Sequence, residues 1–559
     1  MTSPNPVAGN ATFQLGLVLA GAVSAGAYTA GVLDFLTEAL DRWDGAREAA
    51  VPPPAHRVVL KAVSSASAGS MCAAILAAAA GRRFPPVRAT DHAAYEARQG
   101  GPRNPFYDSW VLAPRLERLL DTGDLQGGPL LSLLNGTWLR DVVDAALNGY
   151  GVAQGWQLRP WIDPALELRL TLGNLTGQPY CAAFNGAAGQ GLPMMRHAAM
   201  ADFRLGLAAP QGSWWGLSGE PTAVAADWSL LGRAALASGA FPLFLPAREL
   251  PAGPANLLSL LVPTGQKRGP LHLAQYRTLA PLATPAAPAT MLCVDGGVFD
   301  NEPVQLCRSR LVAPGERMPR EGREADRGLI MVDPFPAPDP FGPTSEKTPI
   351  GQVAWALLSA WKNQARFRPE DIALAFDEAA YSRYLIAPSR PPGGAGGGAP
   401  SPLAAGGLAG FLGFFHVEYR RHDYFLGRRN AQNFLRHSFA LPRENPLLAD
   451  WRQRDEAISA AYPELVAQAQ AASAGAPVPH WPLVPLLGPL AVEEPLPAWP
   501  AGRFGPASLQ APLRARLKAL LGASGLPRLL TGLGNWAYGD KAVDWAIRQV
   551  AEELRIQQL

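Results

Sequence analysis

The first hydrophobic block, Leu15 to Ala20 (LGLVLA), is a continuous apolar run of strand length, and the GAVSAG that follows it is a tight loop of small residues. The period then changes. From about Ala27 to Leu40 the apolar positions Leu33, Leu36 and Leu40 recur at i, i+3 and i+7, which predicts an amphipathic helix. A proline-containing link (VPPPA) leads to a second apolar strand, Arg57 to Val63, then a small-residue turn and a helix from Met71 to Ala80. Strand, helix, strand, helix at this spacing predicts a parallel sheet with helices packed on it.

Further along, Leu168, Leu170 and Leu172 alternate in ELRLTLGNL and predict another strand. MLCV at 291–294 and GLIMV at 328–332 are short apolar runs bounded by turn residues, and both read as central strands. PPGGAGGGAPSPLAAGG, from Pro391 to Gly407, has the composition of a flexible loop or linker. The segments after it are helical apart from a proline-rich stretch. The last helix, Lys541 to Arg555, puts Val543, Ile547, Val550 and Leu554 on one face. No internal repeat is present.

Residues 1 to 33 carry no charged side chain, so the run from Leu15 to Leu33 has to be weighed as a membrane span. Gly16, Gly21, Gly26 and Gly31 interrupt it, and the basic region of a secretory signal is missing. The expectation is a cytoplasmic protein. Composition adds little to this. The chain has 559 residues, 49 Lys and Arg against 46 Asp and Glu, and 48% hydrophobic residues, which excludes a wholly disordered chain. A net charge of +3 is too small to argue for nucleic acid as a partner. Cys72, Cys181, Cys293 and Cys307 lie far apart in apolar surroundings and predict free buried thiols. The eight His show no ligand spacing, so no metal and no cofactor is expected.

The chemistry concentrates between Arg57 and Ala80. A strand runs into Ser65-Ala66-Ser67-Ala68-Gly69 and directly into a helix, the arrangement of a nucleophile elbow that lifts Ser67 above the sheet edge. The competing account is that Ser64, Ser65, Ser67 and Ser70 only cap the helix. A nucleophilic serine needs a base, and Asp295 directly follows MLCV, with Gly296 and Gly297 behind it. Asp300 is a competing carboxylate. The loop Gly21-Ala22-Val23-Ser24-Ala25-Gly26 stands where backbone N–H groups can meet a negative oxygen. It has neither G-K-[ST] nor G-x-G-x-x-G spacing, so a nucleotide site is not expected.

Together these segments resemble the patatin-like phospholipases. GAVSAGAYTAGVLDFL stands for that family's glycine-rich oxyanion loop and helix, SASAG for its G-x-S-x-G, and DGGVFDNEP for its D-G-[GA]. LTLGNLTGQPYCAAF and ALASGAFPLFLP look like its central strand and its A-S-x-A-x-P segment. RRHDYFLGRRNAQNFLRHSF is similar to the C-terminal portion of its longer bacterial members. The resemblance implies a three-layer α/β/α fold with a mainly parallel sheet and a mostly helical C-terminal extension. It divides the chain into a disordered tail (1–12), a catalytic domain (13–390), a linker (391–409) and the extension (410–559).

The resemblance also implies acyl-ester hydrolysis of lipids, with Ser67 as nucleophile, Asp295 as base and no His. The oxyanion would rest on N–H groups of Gly21, Ala22, Val23 and Ala68, without calcium. Two segments depart from the family pattern: the loop lacks two glycines and a basic residue, and Ser65 replaces the elbow's first glycine. A β-branched Val23 at a position of positive φ would be strained. The rival readings are a catalytically impaired scaffold that binds lipid or a partner, and an acyltransferase or thioesterase using the same nucleophile.

Two surfaces are candidates for a peripheral membrane contact. Trp214-Trp215 lies in a Gly/Ser-rich loop. Arg420 to His437 holds five Arg and one Asp, with Arg421, Arg428, Arg429 and Arg436 on one helical arc. Those arginines suit anionic headgroups, or else pair with carboxylates of the main domain. Oligomeric state is not legible.

Overall fold

The computed structural model describes residues 11–559 except 48, 50–51, 152–154, 183–191, 212–213, 253–259, 264–275, 280–289, 313–317, 337–343, 351, 354–355, 358–359, 361–381, 392–397, 475–477 and 525–538. Residues 1–10 of the expected tail and the first part of the expected linker therefore lie outside the described residues. Thr12 already begins the first strand.

The chain opens β1 (Thr12–Leu19), α1 (Gly26–Ala46), β2 (Arg57–Ser65), α2 (Ala68–Ala79). The apolar blocks of the sequence end within a few residues of these bounds. Short helices α3 (His92–Ala97), α4 (Pro105–Tyr107) and α5 (Leu116–Leu120) lead to α6 (Leu139–Leu147). Then come β3 (Ile162–Ala182), β4 (Leu192–Leu205), β5 (Trp214–Leu217), α7 (Ala226–Ser238) and β6 (Arg248–Pro251). A small hairpin, β7 (Leu260–Pro263) with β8 (Tyr276–Leu279), precedes β9 (Thr290–Asp295), α8 (Val304–Leu311), β10 (Arg327–Val332) and β11 (Arg383–Ile386). The C-terminal part is led by the long α9 (Val417–His437) and closed by α10 (Asp540–Ile556).

The central sheet runs β11-β10-β1-β2-β3-β4-β5, parallel from β11 through β3. β4 turns antiparallel to β3, and β9 joins β3 antiparallel as well. Strand alternation divides the core. Leu15, Leu17 and Leu19 of β1 pack with residues of α1 and α2 on one face. Val18, Ala62 and Leu329 pack with Cys307 and Leu311 of α8 on the other. Helices thus cover both faces of a mainly parallel sheet. Cys72, Cys293 and Cys307 are free and buried, and burial pushes the Cys293 and Cys307 thiols up to about 12.

The arginine helix faces inward, and of the two readings of its arginines the structure shows the pairing with carboxylates. α9 crosses α1 so closely that a Cβ on Gly31 would lie 1.9 Å from the Tyr424 carbonyl oxygen, and one on Gly427 would lie 2.2 Å from that of Tyr28. At that separation Arg428 is fully buried, and its guanidinium bonds Asp34, Glu38 (2.7 Å) and Glu494 (2.7 Å). Arg421 pairs with Glu96 and Glu418, and Arg429 with Glu493. Arg420 donates to the carbonyls of Val111 and Gly413, and Arg436 to that of Ala491. Trp214-Trp215 is likewise not a loop tip. It lies in β5, with Arg169 4.8 Å over the Trp214 ring. In the expected linker, Leu403, Ala404 and Ala405 are fully buried, and Asp423 accepts the N–H groups of Ala404 and Ala405.

Removing one partner of a buried, paired charge leaves the others uncompensated, at a cost of about 3–5 kcal/mol. Arg428→Gln should therefore lower unfolding stability by about that amount in urea titration, while Arg429→Gln, whose partner Glu493 is largely exposed, should cost under ~1 kcal/mol. Equal effects would refute the burial argument.

A second stability test concerns His56. It is buried with Nε2 on the Leu483 carbonyl (2.9 Å) and Nδ1 facing the Trp451 indole N–H (3.4 Å), so only the neutral ring fits. Burial lowers its pKa to about 4. A histidine of ordinary pKa ~6.5 in the unfolded chain binds its proton first, so stability is full above pH ~6.5 and falls as pH drops toward 4, by on the order of 3 kcal/mol. Melting midpoints across that range should decline more steeply for the wild type than for His56→Gln.

Candidate active site

Two strand ends meet on one edge of β3. β2 runs parallel to β3 and ends with Ser65 opposite Leu170. β9 runs the other way and ends with Asp295 opposite Leu172, two residues further along the same edge. Two residues of strand span about 6.7 Å, so whatever follows Ser65 and whatever sits at Asp295 are thrown together. The Ser67 hydroxyl donates to Asp295 Oδ2 at 2.6 Å, the short length of a hydrogen bond to a charged acceptor. Both residues are buried.

The turn that carries Ser67 is strained. Its φ of +50° and ψ of −124° cost a non-glycine residue about 1–3 kcal/mol. Three contacts hold it. Ala66 N–H bonds the Leu19 carbonyl at 3.1 Å. Gly69 lies under the same carbonyl, where a Cβ would come to 2.2 Å from the oxygen. Ser67 N–H donates to Ser238 Oγ at 2.9 Å, and the hydroxyls of Ser238, Ser70 and Ser65 continue as a chain with steps of 2.8 and 3.1 Å. The capping account of these serines fails: Ser67 makes no side-chain cap, Ser64 bonds the Pro303 carbonyl, and Ser65 and Ser70 bond each other.

Asp295 is fixed as firmly. Its Oδ1 accepts Gly297 N–H at 2.7 Å, and its own N–H bonds the Ala240 carbonyl at 2.9 Å. Asp300 contributes through its backbone: its N–H bonds the Gly296 carbonyl and its carbonyl accepts from Thr171. Asn301 places Oδ1 against both Gly21 and Gly297, within 2.4 and 2.6 Å of where a Cβ would stand on each.

The loop of Gly21, Ala22 and Val23 lies against the serine; a Cβ on Gly21 would be 3.0 Å from Ser67 Cβ. Val23 adopts φ +48°, so the expected strain is real. It is offset by a brace from far along the chain, where Ser24 Oγ bonds the Gly410 carbonyl and accepts Gly413 N–H at 3.0 Å. Ala68 opens α2, so its N–H lies in the first turn, where no intrahelical acceptor exists, and the positive end of the helix dipole adjoins Ser67.

Val23, Ser67, Ala68 and Asp295 line one end of a cavity of about 110 Å³ whose walls are otherwise almost wholly apolar. α2, α6 and α7 form its sides, and Phe411 and Phe414 stand at the Ser67 end beside Phe241. The arrangement can deprotonate a hydroxyl, present it to a carbonyl carbon, and hold an apolar chain beside it. Sequence reasoning missed Ser238, Ser24 and the α6 wall. Ser238 sat in the quoted ALASGAFP segment without a role, and the apolar positions 139, 142, 143, 146 and 147 carried a helical period that was available to be read. Among the described residues no group of three His, Cys, Asp or Glu could hold a metal ion, and no helix is long and apolar enough to cross a membrane.

No protein-family model matches the chain. Among curated proteins it is 33% identical over 523 residues to "Uncharacterized protein y4iI" of Sinorhizobium fredii (strain NBRC 101917 / NGR234), covering 87% of this chain and 72% of that protein. Among solved structures, VipD from Legionella pneumophila aligns with 97% of this chain and 91% of its own at 11% identity, with a TM-score of 0.22.

The serine chain generates a prediction of its own. Ser238→Ala leaves the buried Ser67 N–H without its acceptor, a loss of about 1–3 kcal/mol in denaturant unfolding. A change below ~0.5 kcal/mol would show that the elbow is held without it.

Proposed function

The chain belongs to the same family as the Sinorhizobium fredii protein y4iI, and reading that family through this site we propose that it is a patatin-like acyl hydrolase acting on lipid esters. The observation that carries the proposal is the Ser67–Asp295 hydrogen bond of 2.6 Å at the end of an apolar cavity. Asp295 takes the proton as Ser67 Oγ attacks the acyl carbonyl and passes it to the leaving alcohol, so that an acyl-serine and an ionised Asp295 remain. Water then attacks the acyl-serine with Asp295 again as base, and the fatty acid departs. The tetrahedral oxyanion rests on N–H groups of Gly21, Ala22, Val23 and Ala68. The strained φ of Val23, braced through Ser24, supports a working oxyanion loop over an impaired scaffold, since an idle loop has no reason to keep the strain. The apolar cavity walls support a lipid substrate.

Ser67→Ala and Asp295→Asn should each lower hydrolysis of a short acyl ester by roughly 10⁴-fold, because members of such a unit fail together. A fluorophosphonate should add mass to the peptide holding Ser67 in the wild type and in neither variant. Labelling at Ser24 or Ser70, or full activity in Asp295→Asn with loss in Asp300→Asn, would overturn the assignment. Removal of calcium by a chelator should leave the rate unchanged.

A further inference from the structure

The cavity has a measurable depth. On α2 its lining residues are Ala68, Met71, Ala74, Ile75 and Ala78, one face of the helix read downward from Ser67. α6 runs beside it in the same direction, because the carbonyl of Leu147 at its end accepts from Arg82, just past the end of α2. α7 runs the opposite way: Gly239, just past its end, lies against Met71, while Gly232 lies against Val143. The three helices therefore order the walls by depth, from Met71 through Ile75 and Val143 to Ala78 and Ala146.

What lies beyond that last pair is far smaller. Ala78 and Ala146 also line a second, smaller hollow of about 20 Å³ whose other walls include Arg82, Arg83, Arg103 and Tyr150. Arg82 is tied down by the carbonyls of Leu147 and Pro221. Ser109 of the large cavity bonds Tyr150 of the small one, closing the side of the partition. A methyl terminus that passed the two alanines would leave a cavity of about 110 Å³ for a hollow of about 20 Å³, which has no room for a further run of methylenes.

We propose that Ala78 and Ala146 are the floor of an acyl-chain ruler, setting the longest chain the enzyme accepts in full. The proposal rests on the reading of Ser67 as the acylated residue. From Ser67 to Ala78 is eleven residues of helix, about 16 Å at ~1.5 Å each. An extended chain advances ~3.5 Å over three backbone bonds, or about 1.2 Å per bond. The channel therefore takes about thirteen bonds, which selects chains near dodecanoyl to tetradecanoyl and disfavours hexadecanoyl.

The test is kcat/KM of the full chain on p-nitrophenyl butanoate, octanoate, dodecanoate and hexadecanoate, each kept below its aggregation concentration. The ratio should rise by up to ~4-fold for each methylene newly buried as far as dodecanoate, and gain nothing further at hexadecanoate. Ala78→Phe on α2 and Ala146→Leu on α6 should each lower the dodecanoate-to-butanoate ratio by 10-fold or more, moving the break to shorter chains. A steady rise through hexadecanoate in the wild type overturns the ruler, and that profile decides the matter even where both variants fail to fold. An unchanged ratio in either folded variant overturns it too. Butanoate turned over equally by the wild type and Ser67→Ala would instead overturn the reading of the site on which the ruler stands.

Discussion

Everything at the site depends on one edge of one strand. β3 is long enough to receive β2 on its first half and β9 just beyond, from opposite directions. The end of one strand faces the end of the other across two residues. The strained turn at Ser67 lifts the hydroxyl out of β2's line, and the Gly297 N–H turns Asp295 to meet it. Neither device would matter without the other. A sheet in which β9 ran parallel would put Asp295 at the far end of its strand, away from the serine.

The strain is held by packing, not by local preference. Gly69 allows the turn to sit under the Leu19 carbonyl, and the hydroxyls of Ser65, Ser70 and Ser238 form a buried chain that ends on the Ser67 amide. The same logic governs Val23. Its left-handed backbone is secured by residues almost four hundred positions away, through Ser24, Gly410 and Gly413. The C-terminal part is thus built into the site: α9 is locked on α1 at a crossing only glycines permit, and the segment before α9 supplies Phe411 and Phe414 to the cavity.

That integration changes the meaning of the arginines on α9. As a sequence they form a positive arc, and a surface for anionic lipid is a fair inference from the arc alone. Once α1 lies against the helix, Asp34 and Glu38 face it, and the fully buried Arg428 serves three carboxylates at once. Charge on a helix face says nothing about solvent until the neighbour is known. The apolar lining residues of α6 give the complementary lesson: Val142 and Val143 stay partly accessible because they line a hollow.

The local terms were legible. The apolar run of β1, the 3.6-residue period of α1, the strand–turn–helix around Ser67 and the carboxylate at the end of MLCV all follow from side-chain chemistry within a few residues, and each lies where the pattern put it. The choice of Ser67 over its neighbouring serines was also local, since it alone follows the strand, precedes the helix and has small residues at both ±2 positions. The rest was decided by tertiary structure. The direction of β9, the acceptor for the Ser67 amide, the brace on Val23, the burial of Arg428 and the depth of the cavity each depend on segments that meet only when the chain is folded. A periodicity records which residues share a face; it carries no record of what that face will meet.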